Sequence, residues 1–496
     1  MYSIGYDVGS SSIKAALVDL ETNQPLKVVQ YPSTEMRIDS PQHGWAEQDP
    51  ETWWSYLVEA TKLLLKGQEN SVVDAIKGIG ISYQMHGLVL LDKNGEVLRP
   101  SIIWCDSRAV SSGDQAAEEL GENDCFACLL NLPGNFTGSK FKWVKDNEPE
   151  IYEKVDKLML PGDFLAYKMT GEITTTPSGL SEGILWDFKK DQSAEFAFDA
   201  YGIKNHMIPK VMDTFSEQGY VTKVAAAELG VPEGIPICYR AGDQPNNAMS
   251  LGALEAGEIA ATGGTSGVVY GVMDRMISDP QSRINSFAHV NYSSDKQMTG
   301  ALLCINGAGS LYRWVRQTIA DVTIPYVEME NEASKIPIGS EGLILLPFGN
   351  GAERMLGNKD LGAQISNIDL NRHTKAHVYR AALEGVAFSF VYGMEVLKEL
   401  GVKIGTMKAG NDNLFQSQIF SSVISSILDC NIELIETTGA VGAAKAVSHT
   451  LGIKDSLAEA MSGNKMDKTI TPQTEKKEEY LKAYNNWKND LEQKLK

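Results

Sequence analysis

The chain has 496 residues, 43% of them apolar and 22% charged, a composition typical of globular proteins that bury a large core. With 45 basic and 64 acidic side chains, the net charge of −19 argues against nucleic-acid binding, but not against a phosphate held by backbone N–H groups. Six cysteines are too few for a disulfide framework, and no apolar run reaches the ~18 residues of a membrane helix. The first residues lack a signal-peptide pattern, so we expect a cytoplasmic protein of two large domains or three ordinary ones.

The first elements predicted are two short strands joined by a turn of glycine and serine. Residues 4–8 and 13–18 are apolar, and Gly9, Ser10 and Ser11 lie between them. Asp49 and Pro50 then open a helix, as N-cap and first-turn residue respectively. A buried strand is predicted over 75–82 and another over 88–92, so the polar segment between them follows a strand end.

The second half of the chain repeats this opening pattern. Residues 258–262 and 268–272 are predicted strands, and the glycine-rich turn between them lies about 255 residues after the first such turn. We interpret the two copies as a duplication with a cleft between the halves, although such turns are common and the pattern alone leaves this open. Helices are predicted over 375–400, 413–428 and 439–450. The apolar face of 475–496 predicts a docked terminal helix, through Tyr480, Tyr484, Trp487 and Leu491.

Two aspartates occupy positions suited to phosphate chemistry. Asp7 ends the first strand beside the glycine turn, where a carboxylate can face both a phosphate and Mg²⁺. Asp243 follows a glycine after the predicted strand 235–239, near the chain midpoint, and is a candidate general base. A solvated turn aspartate is the alternative at both positions. Walker A, Rossmann and protein-kinase motifs are all absent, so a bound nucleotide would need another scaffold.

Two polar segments have the composition of a sugar site. Gln84, Met85 and His86 follow a buried strand and supply hydrogen-bonding groups for hydroxyls. The segment 104–108 combines the aromatic face of Trp104 with the acid Asp106 and the guanidinium of Arg108, which suits a sugar. The alternatives are a core histidine bonded to backbone and an Asp–Arg ion pair beside a core tryptophan.

The order of these motifs resembles the FGGY carbohydrate kinases, which belong to the superfamily of sugar kinases, actin and Hsp70-type ATPases. Residues 5–14 resemble the first phosphate motif, 261–267 the second, 408–413 the adenosine motif, and 439–444 the helix start that follows it. Position 409 carries alanine where the family usually has glycine. The resemblance spans residues 1 to about 490. It implies an α/β fold of two duplicated, actin-like (ribonuclease H-like) lobes, 1–245 and 246–496, with an interdomain cleft.

Within this family, segments 84–87 and 99–108 are similar to the members that phosphorylate D-xylulose, and the Arg-Glu pair of glycerol kinases is absent. The resemblance therefore implies ATP-dependent phosphorylation of the 5-hydroxyl of D-xylulose. Those members commonly have asparagine after the catalytic aspartate, whereas this chain has Gln244, as glycerol kinases do. Ribulose, gluconate and glycerol therefore remain alternative substrates.

The resemblance also implies a role for each motif. Asp243 would take the proton from the attacking hydroxyl, and Asp7 would organise Mg²⁺ through water. The expected sugar-binding residues are Gln84, Met85, His86, Trp104, Asp106, Arg108 and Gln244. The expected nucleotide-binding residues are Gly9, Ser10, Ser11, Gly264, Thr265, Gly309, Gly410, Asn411 and Asn413. The expected partners are ATP and a small sugar, without nucleic acid or membrane, and a homodimer is left open.

Two other classes of protein share part of this pattern. An Hsp70-like or actin-like ATPase would have the phosphate turns but would need no sugar site, which the segments 84–87 and 104–108 argue against. A non-catalytic sugar sensor would lose the base, whereas Asp7 and Asp243 are both present. ATP turnover with and without pentuloses distinguishes these classes.

Overall fold

A computed structural model describes all 496 residues, and its main strands form two sheets. The N-terminal sheet has five strands, namely β1 (Tyr2–Val8), β2 (Ile13–Asp19), β3 (Gln24–Tyr31), β4 (Ile76–Tyr83) and β5 (Ile237–Gly242). The C-terminal sheet has seven, namely β6 (Ile259–Gly263), β7 (Gly267–Met273), β8 (Asn285–Ala288), β9 (Thr299–Ile305), β10 (Met407–Gly410), β11 (Ile432–Glu436) and β12 (Lys465–Ile470). Short two-stranded ladders pair Glu47–Gln48 with Ser101–Ile102, Val89–Leu91 with Lys157–Met159, Thr174–Thr175 with Lys210–Val211, Trp186–Asp187 with Gln192–Ser193, and Ile344–Leu346 with Gln364–Ser366.

The five strands of the N-terminal sheet and the central five strands of the C-terminal sheet have the same topology. In the first, β1, β2 and β3 form an antiparallel meander, and β4 and β5 lie parallel to β1 in the order β5-β4-β1-β2-β3. In the second, β6, β7 and β9 form the meander, and β10 and β11 lie parallel to β6. The predicted duplication is therefore confirmed, and each copy begins with the predicted strand–turn–strand unit.

Helix caps explain one helix prediction that is confirmed and one that is wrong. The helices of six or more residues are α1 (Pro50–Leu65), α2 (Val110–Leu120), α3 (Thr137–Asn147), α4 (Pro161–Thr170), α5 (Pro177–Glu182), α6 (Glu195–Tyr201), α7 (Lys223–Leu229), α8 (Asp243–Ser250), α9 (Ala308–Val315), α10 (Tyr326–Ala333), α11 (Lys375–Glu399), α12 (Gln418–Leu428), α13 (Gly439–Thr450) and α14 (Lys477–Leu495). Asp49 caps α1 as predicted, accepting a hydrogen bond from the N–H of Glu51. A continuous helix over 413–428 is wrong: a 3₁₀ turn covers Asn413–Gln416, and Ser417 caps α12 by accepting from the N–H of Phe420.

Two helices cross between the halves and cover the opposite sheets. After β11 the chain enters α13, which packs on β1, β2 and β4 of the N-terminal sheet. Gly5 and Gly80 allow this close approach, because a Cβ at either position would overlap a main-chain carbonyl of α13. After β5 the chain enters α8, which contacts β6 and β7 of the C-terminal sheet. Both crossings begin at strand ends, so the start of each helix lies where the lobes meet.

The terminal helix α14 is docked as predicted. Tyr480, Tyr484, Trp487 and Leu491 are buried, and Trp487 Nε1 donates a hydrogen bond to the carbonyl of Leu345 at 2.9 Å. None of the helices combines the length and apolarity needed to cross a bilayer.

Candidate active site

The carboxyl ends of β1, β4 and β5 meet at one edge of the N-terminal sheet. Their parallel register places Asp7 beside Ser82, and Ser82 beside Ala241. Ser82 Oγ donates a hydrogen bond to Asp7 Oδ1 at 3.1 Å. Asp243 directly follows β5 as the first residue of α8, so both predicted catalytic carboxylates lie at this edge. Such an edge is where open α/β sheets bind their ligands.

The two carboxylates influence each other's ionisation. Burial, and secondarily the negative charge of Asp7, raise the pKa of Asp243 to about 7. Burial also raises the pKa of Asp7, while Lys14 and the hydroxyl of Ser82 oppose that change. A carboxylate with a pKa near neutral pH is suited to accept a proton from a hydroxyl. The geometry therefore fits the acid–base role predicted for Asp243.

The surroundings of Asp7 also fit a divalent cation. Mg²⁺ prefers one or two carboxylates, completed by water and phosphate oxygens. Asp7 lies against the start of α13, where a Cβ on Gly439 would come within 2.7 Å of Asp7 Oδ2. The positive end of this helix favours anions such as phosphate. Asp7 is therefore suited to hold such an ion.

His86 has an unusual backbone and neutral surroundings. Its φ of +63° lies in the left-handed region, which non-glycine residues rarely adopt. Its N–H donates to Glu182 Oε2 at 3.0 Å, and its Nδ1 lies 2.9 Å from the carbonyl oxygen of Glu182. Burial and the charge of Lys140 lower the pKa of His86 to about 3. The ring is therefore a neutral imidazole.

The other residues of the predicted sugar segment take different positions. Met85 is buried against the backbone of Gly242, where an added Cβ would come within 2.5 Å of its Cγ. Gln84 Nε2 donates to Gln48 Oε1 at 3.2 Å, and Gln48 in turn donates to the carbonyl of Ser10. Gln84 thus braces the first glycine turn, whereas Met85 packs against the residue that precedes the candidate base, and His86 follows Met85 in the chain.

Trp104 is half-exposed and lies beside the first glycine turn, where its Nε1 donates to Ser10 Oγ at 3.2 Å. Asp106 and Arg108 are buried and bind each other, with Arg108 Nη2 2.7 Å from Asp106 Oδ2. Arg108 Nη1 also contacts Glu47, and its guanidinium stacks 3.7 Å from the ring centre of Trp45. The ion-pair part of the alternative interpretation is therefore confirmed, whereas Trp104 is not a core tryptophan. The ion pair braces the loop that carries Trp104. A direct sugar contact by Asp106 or Arg108 stays a prediction.

A cavity of about 550 Å³ lies on the C-terminal side of the cleft. The main-chain N–H groups of Gly309 and Ser310, at the start of α9, donate to the carbonyls of Gly264 and Thr265 in the second glycine turn. Four predicted nucleotide-binding residues line the cavity, namely Gly264, Thr265, Gly309 and Asn413. Two further lining residues, Tyr312 and Tyr326, stack with ring centres 5.4 Å apart and offer aromatic surface for a base.

The remaining predicted nucleotide residues lie in turns around the cleft rather than in this cavity. Gly410 ends β10, and the side chain of Asn411 donates to Asp467 Oδ2 at 2.8 Å. The first glycine turn is closed by the N–H of Gly9 donating to the carbonyl of Ser12. Ser10 and Ser11 complete that turn. Contacts of these residues with a nucleotide stay predictions.

Sequence reasoning missed three residues near His86. Glu182 binds its backbone, and the wholly buried Lys140 donates from Nζ to the His86 carbonyl at 2.7 Å. Burial lowers the pKa of Lys140 to about 7. The charge of Arg354, from the second half of the chain, adds to burial in lowering the pKa of His86. These residues lie outside every recognised motif, and only the fold brings them together.

Duplicated sheets of this topology, with glycine turns and paired carboxylates at the cleft, define a phosphotransferase of the actin-like ATPase class. Residues 2–250 match the N-terminal domain of the FGGY family of carbohydrate kinases, and residues 259–451 match its C-terminal domain. The chain belongs to this family. It is a sugar kinase that uses ATP as the phosphoryl donor.

Similar proteins include several kinds of sugar kinase. The chain is 30% identical to xylulose kinase of Escherichia coli (strain K12), over 81% of this chain and 79% of that protein. A crystal structure of xylulose kinase from Rhodospirillum rubrum superposes with a TM-score of 0.90 at 24% identity and covers 99% of both chains. Gluconate kinase from Lactobacillus acidophilus superposes with a TM-score of 0.89 at 21% identity, covering 100% of this chain and 98% of that one. The fold therefore does not select among sugars.

Proposed function

We propose that the protein transfers the γ-phosphoryl group of Mg·ATP to the 5-hydroxyl of D-xylulose, which yields D-xylulose 5-phosphate. The proposal rests on the sequence similarity to xylulose kinases over most of the chain and on the Met85-His86 segment, whose Met85 packs against the residue before Asp243. The observation that carries it is the partly buried Asp243 carboxylate, whose pKa is raised to about 7, directly after β5 at the strand edge that also carries Asp7. Lobes 1–245 and 246–496 would supply the sugar and nucleotide sides respectively.

In this mechanism Asp243 accepts the hydroxyl proton as the oxygen attacks the phosphoryl group. Phosphoryl transfer needs little covalent assistance, so positioning and charge neutralisation supply most of the rate enhancement. Asp7 would hold Mg²⁺, which neutralises phosphate charge when bound. The backbone of Gly264 and Thr265 would hold the phosphates, and the cavity beside Tyr312 would hold the adenosine. Closure of the lobes would exclude water and suppress hydrolysis of ATP.

The sugar would lie between His86 and Gln244. His86 is neutral and hydrogen-bonded on one ring nitrogen, which leaves the other for a sugar hydroxyl. Gln244 directly follows Asp243, and its backbone and side chain partly oppose the burial that raises the pKa of Asp243. A residue in that position can contact the substrate group adjacent to the attacking hydroxyl. Trp104 would cover an apolar face of the sugar from the first glycine turn.

The test is ADP release, measured by a coupled assay with D-xylulose, D-ribulose, L-ribulose, gluconate and glycerol as acceptors. We expect D-xylulose to have the highest kcat/KM and ³¹P NMR to place the phosphate on C5. A protein that prefers glycerol or gluconate to every ketopentose would contradict the substrate assignment. One specific observation favours that second candidate, a kinase for another polyol or aldonate: Gln244 stands where xylulose kinases commonly have asparagine.

A further inference from the structure

The conformation of His86 requires support from its neighbours. A non-glycine residue held at φ +63° is strained, and it persists only where its surroundings impose it. His86 follows β4 and Met85 in the chain, and Met85 packs against Gly242, the residue before Asp243. Whatever imposes this conformation therefore decides where the imidazole lies in the cleft.

Glu182 supplies two of the three hydrogen bonds that hold His86. Its Oε2 accepts from the His86 N–H at 3.0 Å, and its main-chain carbonyl lies 2.9 Å from His86 Nδ1. The third bond comes from Lys140 Nζ to the His86 carbonyl at 2.7 Å. Glu182 itself ends α5, and its side chain is only 1% exposed.

The carbonyl contact determines the tautomer of the imidazole. A carbonyl oxygen only accepts hydrogen bonds, so a neutral ring facing it must carry its proton on Nδ1. The opposite nitrogen, Nε2, is then an acceptor with a free lone pair. Two phenylalanine rings restrict rotation of the imidazole, Phe136 at 4.7 Å and Phe287 at 5.5 Å between ring centres. The ring thus presents one acceptor in one orientation.

This arrangement is also tied to the C-terminal lobe. Phe287 belongs to β8, whereas His86 belongs to the N-terminal lobe. Ser181, the residue before Glu182, accepts a hydrogen bond at its Oγ from the N–H of Ala288 at 3.0 Å. The same short helix therefore holds His86 on one side and a strand of the opposite lobe on the other.

We propose that Glu182 is a positioning residue of the sugar site, which holds His86 in its left-handed conformation and in the tautomer whose Nε2 accepts a hydrogen from a substrate hydroxyl. The proposal rests on the assignment of His86 to the sugar site. Glu182 does not touch substrate itself, because its Oε1 is wholly buried. Its effect passes through the backbone and ring of His86.

The first experiment is kinetic and uses Glu182→Gln and Glu182→Ala. Burial raises the pKa of Glu182 well above its ordinary value, so the neutral glutamine side chain is the conservative replacement and keeps an acceptor for the His86 N–H. We expect the glutamine variant to remain within ~3-fold of wild type. The alanine variant leaves a buried N–H unpaired and should raise the sugar KM ~10- to 100-fold. The KM for ATP and the sugar-independent ATP hydrolysis should change less than 2-fold.

A matched control is Asp163→Asn. Asp163 is another buried carboxylate of the same lobe, but it faces Arg240 and makes no contact with His86. We expect this variant to lower Tm without a selective increase in the sugar KM. An unchanged sugar KM in Glu182→Ala would overturn the proposal, as would an equal loss of ATP affinity.

The second experiment reads the tautomer directly by long-range ¹H–¹⁵N correlation NMR of ¹⁵N-histidine-labelled protein without ligand, assigned with His86→Gln. We expect the Nδ1–H form for His86 in wild type and in Glu182→Gln. In Glu182→Ala we expect a mixture of tautomers, because loss of the bond to the His86 N–H releases the His86 backbone and lets Nδ1 move away from the main-chain carbonyl of residue 182. An Nε2–H form in wild type would refute the proposal even if Glu182→Ala fails to fold. This measurement needs no substrate, so its result does not depend on the acceptor assay. If no ketopentose were phosphorylated, the proposed function would be refuted, but the effect of Glu182 on the His86 tautomer could still be interpreted.

Discussion

Replacing Asp243 by asparagine tests two effects of this carboxylate separately, namely its contribution to catalysis and its destabilisation of the folded protein. Asp243 is held at the start of α8, partly buried, and close to the charge of Asp7. Asparagine keeps the shape of the side chain and one acceptor oxygen, but it removes both the proton acceptor and the buried charge. The variant should therefore lose activity and gain stability.

The magnitude follows from the displaced pKa. The pKa of Asp243 rises from its ordinary value of 3.8 to about 7 in the folded protein. This shift corresponds to a destabilisation of the folded state by about 4 kcal/mol when the carboxylate is fully ionised. The folded state binds this proton more tightly than the unfolded state, so the contribution to stability is greatest at low pH. It is lost as the pH rises from about 4 to 7. Asparagine has no charge to bury, so its advantage over aspartate grows across that range.

The assay is thermal unfolding at pH 5 and pH 8, together with kcat at pH 8. For domains of this size 1 kcal/mol changes Tm by roughly 2–4 °C, so the Tm of Asp243→Asn should exceed that of wild type by several degrees more at pH 8 than at pH 5. Its kcat should fall ~10²- to 10⁴-fold, with sugar binding by calorimetry largely kept. Asp295→Asn, at an exposed loop position, is the control for loss of one negative charge. A Tm difference that is independent of pH would refute the buried-charge argument, and activity within a few-fold of wild type would refute the base.

The other predictions concern the remaining site residues. Asp7→Ala should lower turnover and weaken the use of Mg·ATP with little change in Tm; if its Mg²⁺ dependence and turnover both match wild type, Asp7 is an ordinary turn residue. His86→Ala should raise the KM for D-xylulose and lower kcat while the ATP affinity measured by calorimetry stays nearly constant, and an equal loss of ATP affinity would make the residue structural. Gln244→Asn should keep activity on D-xylulose and change the ranking of kcat/KM across the acceptor panel; an unchanged ranking would exclude Gln244 from sugar selection.

Local signals in the sequence predicted the elements that depend on a few neighbouring residues. The strand–turn–strand units, the Asp49 cap and the helix over 439–450 all depend on such signals, and all are confirmed. The continuous helix over 413–428 was wrong because periodicity does not reveal that Ser417 caps a new helix after a 3₁₀ turn. The motif order was sufficient for the family because each motif is a short, contiguous segment.

The motifs in the sequence were sufficient to predict the class of enzyme, the duplicated lobes and the positions of Asp7 and Asp243 at strand ends. The surroundings of those residues could be seen only in the folded chain. Glu182 lies 96 residues from His86 along the chain and yet holds its backbone, and Phe287 reaches the same ring from the other lobe. Such contacts arise when packed elements bring distant side chains together, and no local pattern encodes them. The environment that makes His86 neutral and raises the pKa of Asp243 is a property of burial, which exists only in the folded chain.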